Sequence, residues 1–425
     1  MTDTITDADA SSAEEAGFAS DLTQSQTLGD SVRAYIQRVR GGDMGALPSI
    51  LGLVALFIVF GIANDRFLSN LNMANLATQA GSIIILAMAL VPVLLLGDID
   101  LSAGVAGGVS ACVMGLLIVK HDQPWWLAVL AALATGAAIG IVIGLLVAKL
   151  GIPSFVVTLA FFLGLQGVTL KLIGEGGSVR VNQEVISGIA NSNMSVVAGW
   201  VSAFVIIAAY TALSLLQHRR KVSQGLQHPP LAVVVLKIVA IGIVLLIVTY
   251  ILNQNRSVNP NFPIKGIPYV IPMVIVLLIA WTFVLGRTTW GRHVYAVGGN
   301  SEAARRAGIS VDRIRISVFM MCSSMAALSG IVAASYVGKV STSSGGGNVL
   351  LYAVGAAVIG GTSLFGGKGK ASDAVVGGLV IATIANGLGL LAQASWINYV
   401  VTGGVLLLAA SVDAVSRRRR SATGL

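Results

Sequence analysis

GDIDLSAG, Gly97–Gly104, stands between two apolar runs, VPVLLLG and GVSACVMGLLIV. Two carboxylates, Asp98 and Asp100, therefore interrupt a sequence otherwise built for lipid. An ionised Asp at mid-bilayer on a helix costs about 2.5–3.5 kcal/mol on insertion scales, so both acids must face protein, water or the membrane edge. Gly97, Gly104, Gly107 and Gly108 let backbones approach closely, and Ser102 adds a hydroxyl. That composition is expected where helices break and line a polar cavity. A simple polar turn at the end of an apolar run is the plainer account of the same residues. Carboxylates and hydroxyls suit a polyol, and a proton relay would use the same groups.

Outside this turn the composition is decisive. Of 425 residues 55% are hydrophobic and 11% charged, with a mean hydropathy of +0.86, whereas a soluble domain carries roughly a quarter charged residues. The chain reads as an all-α integral membrane protein, because the runs are continuously apolar where barrel strands would alternate. About twelve runs can be drawn, at 48–63, 82–96, 104–119, 125–148, 154–173, 195–216, 231–252, 267–286, 314–337, 350–364, 372–391 and 396–412. The expected architecture is a polytopic bundle of about 10–12 transmembrane helices. The short, glycine-bounded runs 82–96 and 350–364 are its candidates for broken or re-entrant segments.

The net charge of +9 does not indicate nucleic acid, because the basic residues fall in short loops and at the C-terminus. Residues 33–40, Lys149, Arg219 to Lys221, residues 287–315, Lys368 with Lys370 and Arg417 to Arg420 share one side if every run crosses. The positive-inside rule then places both termini in the cytoplasm. Residues 1–30 carry seven acids and no Lys or Arg, the composition of a disordered tail and not of a secretory signal. Residues 31–47 form a linker, and the stretch 28–40 has the spacing of a basic amphipathic helix on the lipid surface. The transmembrane domain is expected at 48–415, its main cytoplasmic loop at 287–315, and a basic tail at 416–425. Cys112 and Cys322 lie singly in apolar runs and the four histidines do not cluster, so no disulfide or metal site is indicated.

Late in the chain AAVIGGTSLFGGKGKASDA invites a phosphate-loop reading. GxxxxGK[ST] fails, because its first glycine would fall on Thr362 and Gly369 follows the lysine. The stretch shares instead the form of GDIDLSAG, a polar glycine turn between apolar helices, a weak internal repeat. In the loop GRTTWGRHVYAVGGNSEAARRAGISVDRIR, Asn300 is a good N-cap, Glu302 sits at the positive helix end, Arg305 and Arg306 lie toward the negative end, and Gly308 is a natural stop. So short a helix is marginal alone. Ala303, Ala304 and Ala307 make a small-residue face suited to a groove on another protein, and a solvated charged turn is the plainer alternative.

GDIDLSAG, IPSFVVTLA, GRHVYAVGGNSEAARRAGI and VIGGTSLFGGKG, in this order, resemble the permease subunits of ABC sugar importers of the ribose and xylose family. The resemblance covers about 48–415. Asp98 in GDIDLS, IPSFVVTLA and the added region from Arg219 through the run at Leu231 look like the D-xylose branch. One departure is Leu350, where members often carry Glu before VIGGTS. The resemblance implies a monosaccharide importer in a bacterial plasma membrane, most similar to those for D-xylose or a related pentose. Its partners would be an extracytoplasmic sugar-binding protein, a second permease copy, membrane lipid and a cytoplasmic ATPase that holds the ATP and Mg. This chain would carry no cofactor and catalyse nothing itself. Asn300, Ser301, Glu302, Ala303, Ala304, Arg305, Arg306, Ala307, Gly308 and Ile309 match the family's coupling helix. Asp98, Asp100, Ser102, Thr362 and Ser363 become candidates for the substrate path or its gate, and Gly97, Gly104, Gly360, Gly361, Gly366 and Gly367 for close packing in a moving element. The alternative is a proton-coupled secondary transporter using Asp98 or Asp100.

Overall fold

The computed structural model describes residues 47–391 apart from 227, 258 and 260, together with 29, 33, 396–397, 399–405, 407–408 and 411. The acidic tail, nearly all of the amphipathic stretch and the basic C-terminal tail lie outside the described residues. The elements are α1 (Leu47–Ala63), α2 (Asn70–Leu95), α3 (Ala103–Lys120), α4 (Trp125–Ala148), α5 (Ser154–Ile173), β1 (Ser178–Arg180), α6 (Glu184–Asn191), α7 (Val196–Ser223), α8 (Leu231–Asn253), α9 (Val270–Arg287), α10 (Thr289–Gly299), α11 (Ser301–Arg306), α12 (Val311–Val337), β2 (Lys339–Ser341), α13 (Val349–Gly360) and α14 (Ala371–Leu390). Among the described residues nine helices are long and apolar enough to cross a membrane, and α1 and α13 are shorter apolar helices. The all-α polytopic expectation holds.

The chain divides into two compact units. In the smaller, α7 and α8 form a helical hairpin in which Trp200 stacks on Phe204 and His218 meets His228 edge to face. The larger unit is organised on α12, which packs against α2, α3 and α4. Between α4 and α12 the cause is a glycine stripe. A Cβ on Gly136 would stand 2.5 Å from the Ser323 carbonyl, one on Gly144 would stand 2.7 Å from Ile316 Cα, and one on Gly140 would collide with the Phe319 carbonyl. Without a hydrophobic force between helices in lipid, such close backbone contact supplies the packing.

The run expected at 82–96 belongs to a longer helix. α2 starts at Asn70, where the Ser69 hydroxyl accepts from the Asn72 amide at 3.3 Å. Its polar first turns were discounted by hydropathy, yet they are satisfied inside the bundle. Asn72 and Asn386 exchange amide hydrogen bonds of 2.9 and 3.0 Å, and Asn72 Nδ2 also donates to the Phe67 carbonyl at 2.8 Å. Farther along, Pro92 has no N–H for the carbonyl four residues back, that of Met88. The Trp281 indole of α9 donates to that carbonyl at 2.8 Å instead.

α13 agrees with the expectation of a short helix: its twelve residues reach about 18 Å, well short of a core about 30 Å thick. The segment ahead of it enters the bundle, since a Cβ on Gly104 would stand 2.6 Å from the Gly345 carbonyl and one on Gly108 would collide with the Ser344 carbonyl. Leu350, at the position of the family's acid, is buried against this contact. Between α12 and that segment, β2 pairs antiparallel with β1, Val179 opposite Val340 and Arg180 opposite Lys339.

Gly140→Leu should lower the thermal midpoint of the detergent-purified chain by several degrees, the overpacking cost being about 1–3 kcal/mol or more. Gly164→Leu, at a position with open space around it, should leave the midpoint unchanged. Equal midpoints for the two variants would remove the α4–α12 stripe from the account of stability.

Candidate functional site

At one end of the larger unit three glycine-containing stretches meet. The first is the turn Gly97–Ser102 between α2 and α3, the second is the end of α10, and the third is the turn 361–370 between α13 and α14. A helix leaves its last carbonyls without intrahelical donors, and here the third stretch supplies one: the Gly367 amide donates to the Leu95 carbonyl at 2.9 Å. Gly298 packs so tightly on Leu95 that a Cβ would collide with the same carbonyl. Gly97, Gly366 and Gly367 have φ of +76°, +86° and +74°, the left-handed region where a side chain is strained. A Cβ on Gly366 would stand 3.0 Å from the Gly298 carbonyl and 3.1 Å from the Gly97 amide. The Tyr295 hydroxyl donates to the Gly369 carbonyl at 2.7 Å, fastening α10 to the same turn.

The acids sit within this junction. Asp98 lies 3.3 Å from Arg315 Nε of α12, a charge contact without hydrogen-bond alignment. Burial raises the Asp98 carboxyl above the usual carboxylate range, and Arg315 and the Ser154 hydroxyl pull it back. Asp100, 1% exposed, accepts from the Ser102 amide at 2.9 Å and hydroxyl at 2.6 Å, with Cys322 Sγ at 3.6 Å. The backbone between the acids is held by α5: the Ile99 amide donates to Ser154 Oγ at 3.2 Å, and the Thr158 hydroxyl to the Ile99 carbonyl at 3.2 Å. Thr362 donates to Asp373 at 3.3 Å, and the Ser363 amide to the Lys368 carbonyl at 2.8 Å. Gly360 abuts the backbone of Asp373, and Gly361 ends α13 at φ +120°.

Directly after α10 comes the helix expected over residues 301–307 behind the Asn300 cap. Asn300 Oδ1 accepts from the Ala303 amide at 3.0 Å, α11 ends at Arg306, and Gly308 has φ +84°. Glu302, Arg305, Arg306, Ala303 and Ala307 are exposed. Ala304 departs from the expected outward face of three alanines: it is buried within its own unit, packed in the core that includes Val297 and Val311. The preceding helix, α10, went unread in the sequence. Thr288 caps it through the Gly291 amide at 3.1 Å, and Val294 and Val297 are buried beneath it, so the N-cap and apolar spacing at 288–297 were the available signal.

A cavity of about 330 Å³ lies toward the opposite end, between α2, α3, α12 and α13. Gln79 and Ser82 of α2, Ser329 and Tyr336 of α12, Lys339 of β2 and Tyr352 of α13 are among the polar residues lining it, together with the buried Leu86 and Gly104. None of Asp98, Asp100, Ser102, Thr362 and Ser363 lines it. The sequence signal for its wall was thin: polar residues three or seven apart inside apolar runs, at 79 and 82 and at 329 and 336.

A family model described as the permease component of the branched-chain amino acid transport system matches residues 72–222 and 225–410. The chain is 33% identical to the xylose transport system permease protein of Escherichia coli (strain K12) over 372 residues, 87% of this chain and 92% of the relative. It is 30% identical to the ribose import permease protein of the same strain over 370 residues, 86% of this chain and 92% of the relative. To the fructose import permease protein of Rhizobium meliloti it is 27% identical over 379 residues, 89% and 87% of the two chains. No solved structure matches. The glycine junction, α10, α11 and the cavity all fall inside the matched residues, and the chain belongs to this family of transport-system permeases.

Proposed function

We propose that the chain is the membrane-spanning permease subunit of an ATP-driven ABC importer for a monosaccharide, D-xylose or a related pentose. Although the family description names branched-chain amino acids, the relatives quoted above are named for xylose, ribose and fructose. The cavity favours the sugar side of that division, because apart from the Lys339 ammonium its polar side chains are amide and hydroxyl groups, two of them on tyrosine rings, groups able to hydrogen-bond a neutral polyol. The carrying observation is the junction, where α10 presses directly on the ends of both helix breaks.

The parts then divide as follows. The positive-inside rule sets the junction, α10, α11 and both termini in the cytoplasm, in a bacterial plasma membrane, with the cavity open to the other side through β2. A cytoplasmic ATPase seats on the exposed face of α11, and an extracytoplasmic sugar-binding protein delivers the solute to the mouth of the cavity. Two copies of the chain form the working permease. Asp98, Asp100, Ser102, Thr362 and Ser363 belong to the closed inner gate beneath the cavity floor, and the glycines at 97, 104, 360, 361, 366 and 367 let its elements repack. Switching the gate moves the cavity's opening from one side to the other. The two acids are also the ground for the proton-coupled alternative, which requires uptake that stops with a protonophore and persists without an ATPase.

Purification of the tagged chain from its native membrane in mild detergent should bring down a stoichiometric ATPase. Glu302→Lys combined with Arg305→Glu should lose that ATPase and at least tenfold of the uptake, with insertion unchanged. A chain that purifies alone and moves sugar in liposomes under a proton gradient would transfer the assignment to the secondary transporter.

Gly298→Ala should uncouple ATP hydrolysis from uptake, since its methyl collides with the Leu95 carbonyl, whereas Gly299→Ala, with open space around it, should retain uptake within about twofold. Equal uptake in the two variants would separate the junction from the transport cycle.

A further inference from the structure

Arg180 and Lys339 face each other across the β1–β2 ribbon. The side-chain alternation of the ribbon fixes where they point. Val179 and Val340 turn into a core with Val181 and Ile186, so their neighbours on either side are held outward, and both cations are exposed. Like charges directly opposite on a ribbon oppose its pairing, and neither cation forms an ion pair with a described residue. Glu175 and Glu184, the nearest acids in sequence to Arg180, are exposed and pair with neither. Lys339, itself exposed, is among the residues that line the 330 Å³ cavity, and no Asp or Glu among the described residues does so.

A cleft lined by charge of one sign concentrates solutes of the other and depletes its own. From this we infer that the ribbon is a charge filter at the cavity entrance: it admits neutral and anionic polyols and turns back amine-bearing, protonated ones. The inference rests on the reading of the cavity as the transport path, and it gives the permease a selectivity of its own, separate from that of a solute-binding partner.

Thiol-labelling rates test the filter without a transport assay. Cys112 and Cys322 are buried, so a cysteine placed in the cavity by Gln79→Cys, or by Ser343→Cys should the first variant not fold, is the accessible one. The full chain in sealed vesicles is exposed on the cavity side to a sulfonate-bearing and a trimethylammonium-bearing methanethiosulfonate, and each rate is divided by that of a small thiol in solution. The sulfonate should be favoured by roughly threefold to fivefold, the size expected for two unit charges about a Debye length from the thiol. Arg180→Gln with Lys339→Gln should abolish the preference, and 1 M salt should largely remove it. A cysteine that reacts with both reagents at the solution ratio, or a preference that survives the double substitution, overturns the filter while leaving the path intact. A folded variant that reacts with neither overturns the path itself. Unaltered labelling ratios in the double variant together with loss of binding-protein-dependent uptake would reassign the two cations to an acidic partner surface and likewise overturn the filter.

Discussion

One carbonyl organises the glycine junction of this protein. Leu95 ends a helix with no intrahelical donor for its oxygen, in surroundings where an unmatched polar group is costly. The Gly367 amide answers it from a turn more than 250 residues away, and Gly298 lies against the same atom. Only backbones without side chains reach one another so closely, and that requirement explains why glycines cluster in three separate stretches of the sequence. The α2–α3 break, the α13–α14 break and the helix pair α10–α11 are thereby joined at one point.

The same economy recurs higher in the bundle. Glycines of α4 admit the backbone of α12, and glycines of α3 admit the segment ahead of α13. Pro92 frees a carbonyl that Trp281 then takes up. Each departure from a regular helix is met by a particular partner on another element, so an irregular interior is compatible with an apolar setting.

Much of this was legible in the sequence. Run length and charge placement give the polytopic fold, and Asn300 with Gly308 marks α11 at both ends. Less legible was whatever depends on partners distant in sequence. The start of α2 looks too polar for a membrane until Asn72 is seen exchanging bonds with Asn386. Ala304 shares its spacing with Ala303 and Ala307, yet packing beneath α11 turns it inward. Asp98 and Asp100 attract attention as lone charges, but they sit in the junction, while the cavity is walled by Gln79, Ser329 and Tyr352, single polar residues that no periodicity distinguishes from ordinary helix surface. Local spacing tells which face a residue is on and not what that face meets.

The brevity of α13 also bears on how the protein is made. Twelve residues preceded by non-helical backbone do not qualify for lipid by their own hydrophobicity. During synthesis this stretch has no resting place until α2, α3 and α12 have assembled to receive it, and α14 follows to hold its far end. Insertion of α13 is therefore a docking reaction onto a preformed scaffold, and damage to that scaffold would surface first as a failure of late insertion.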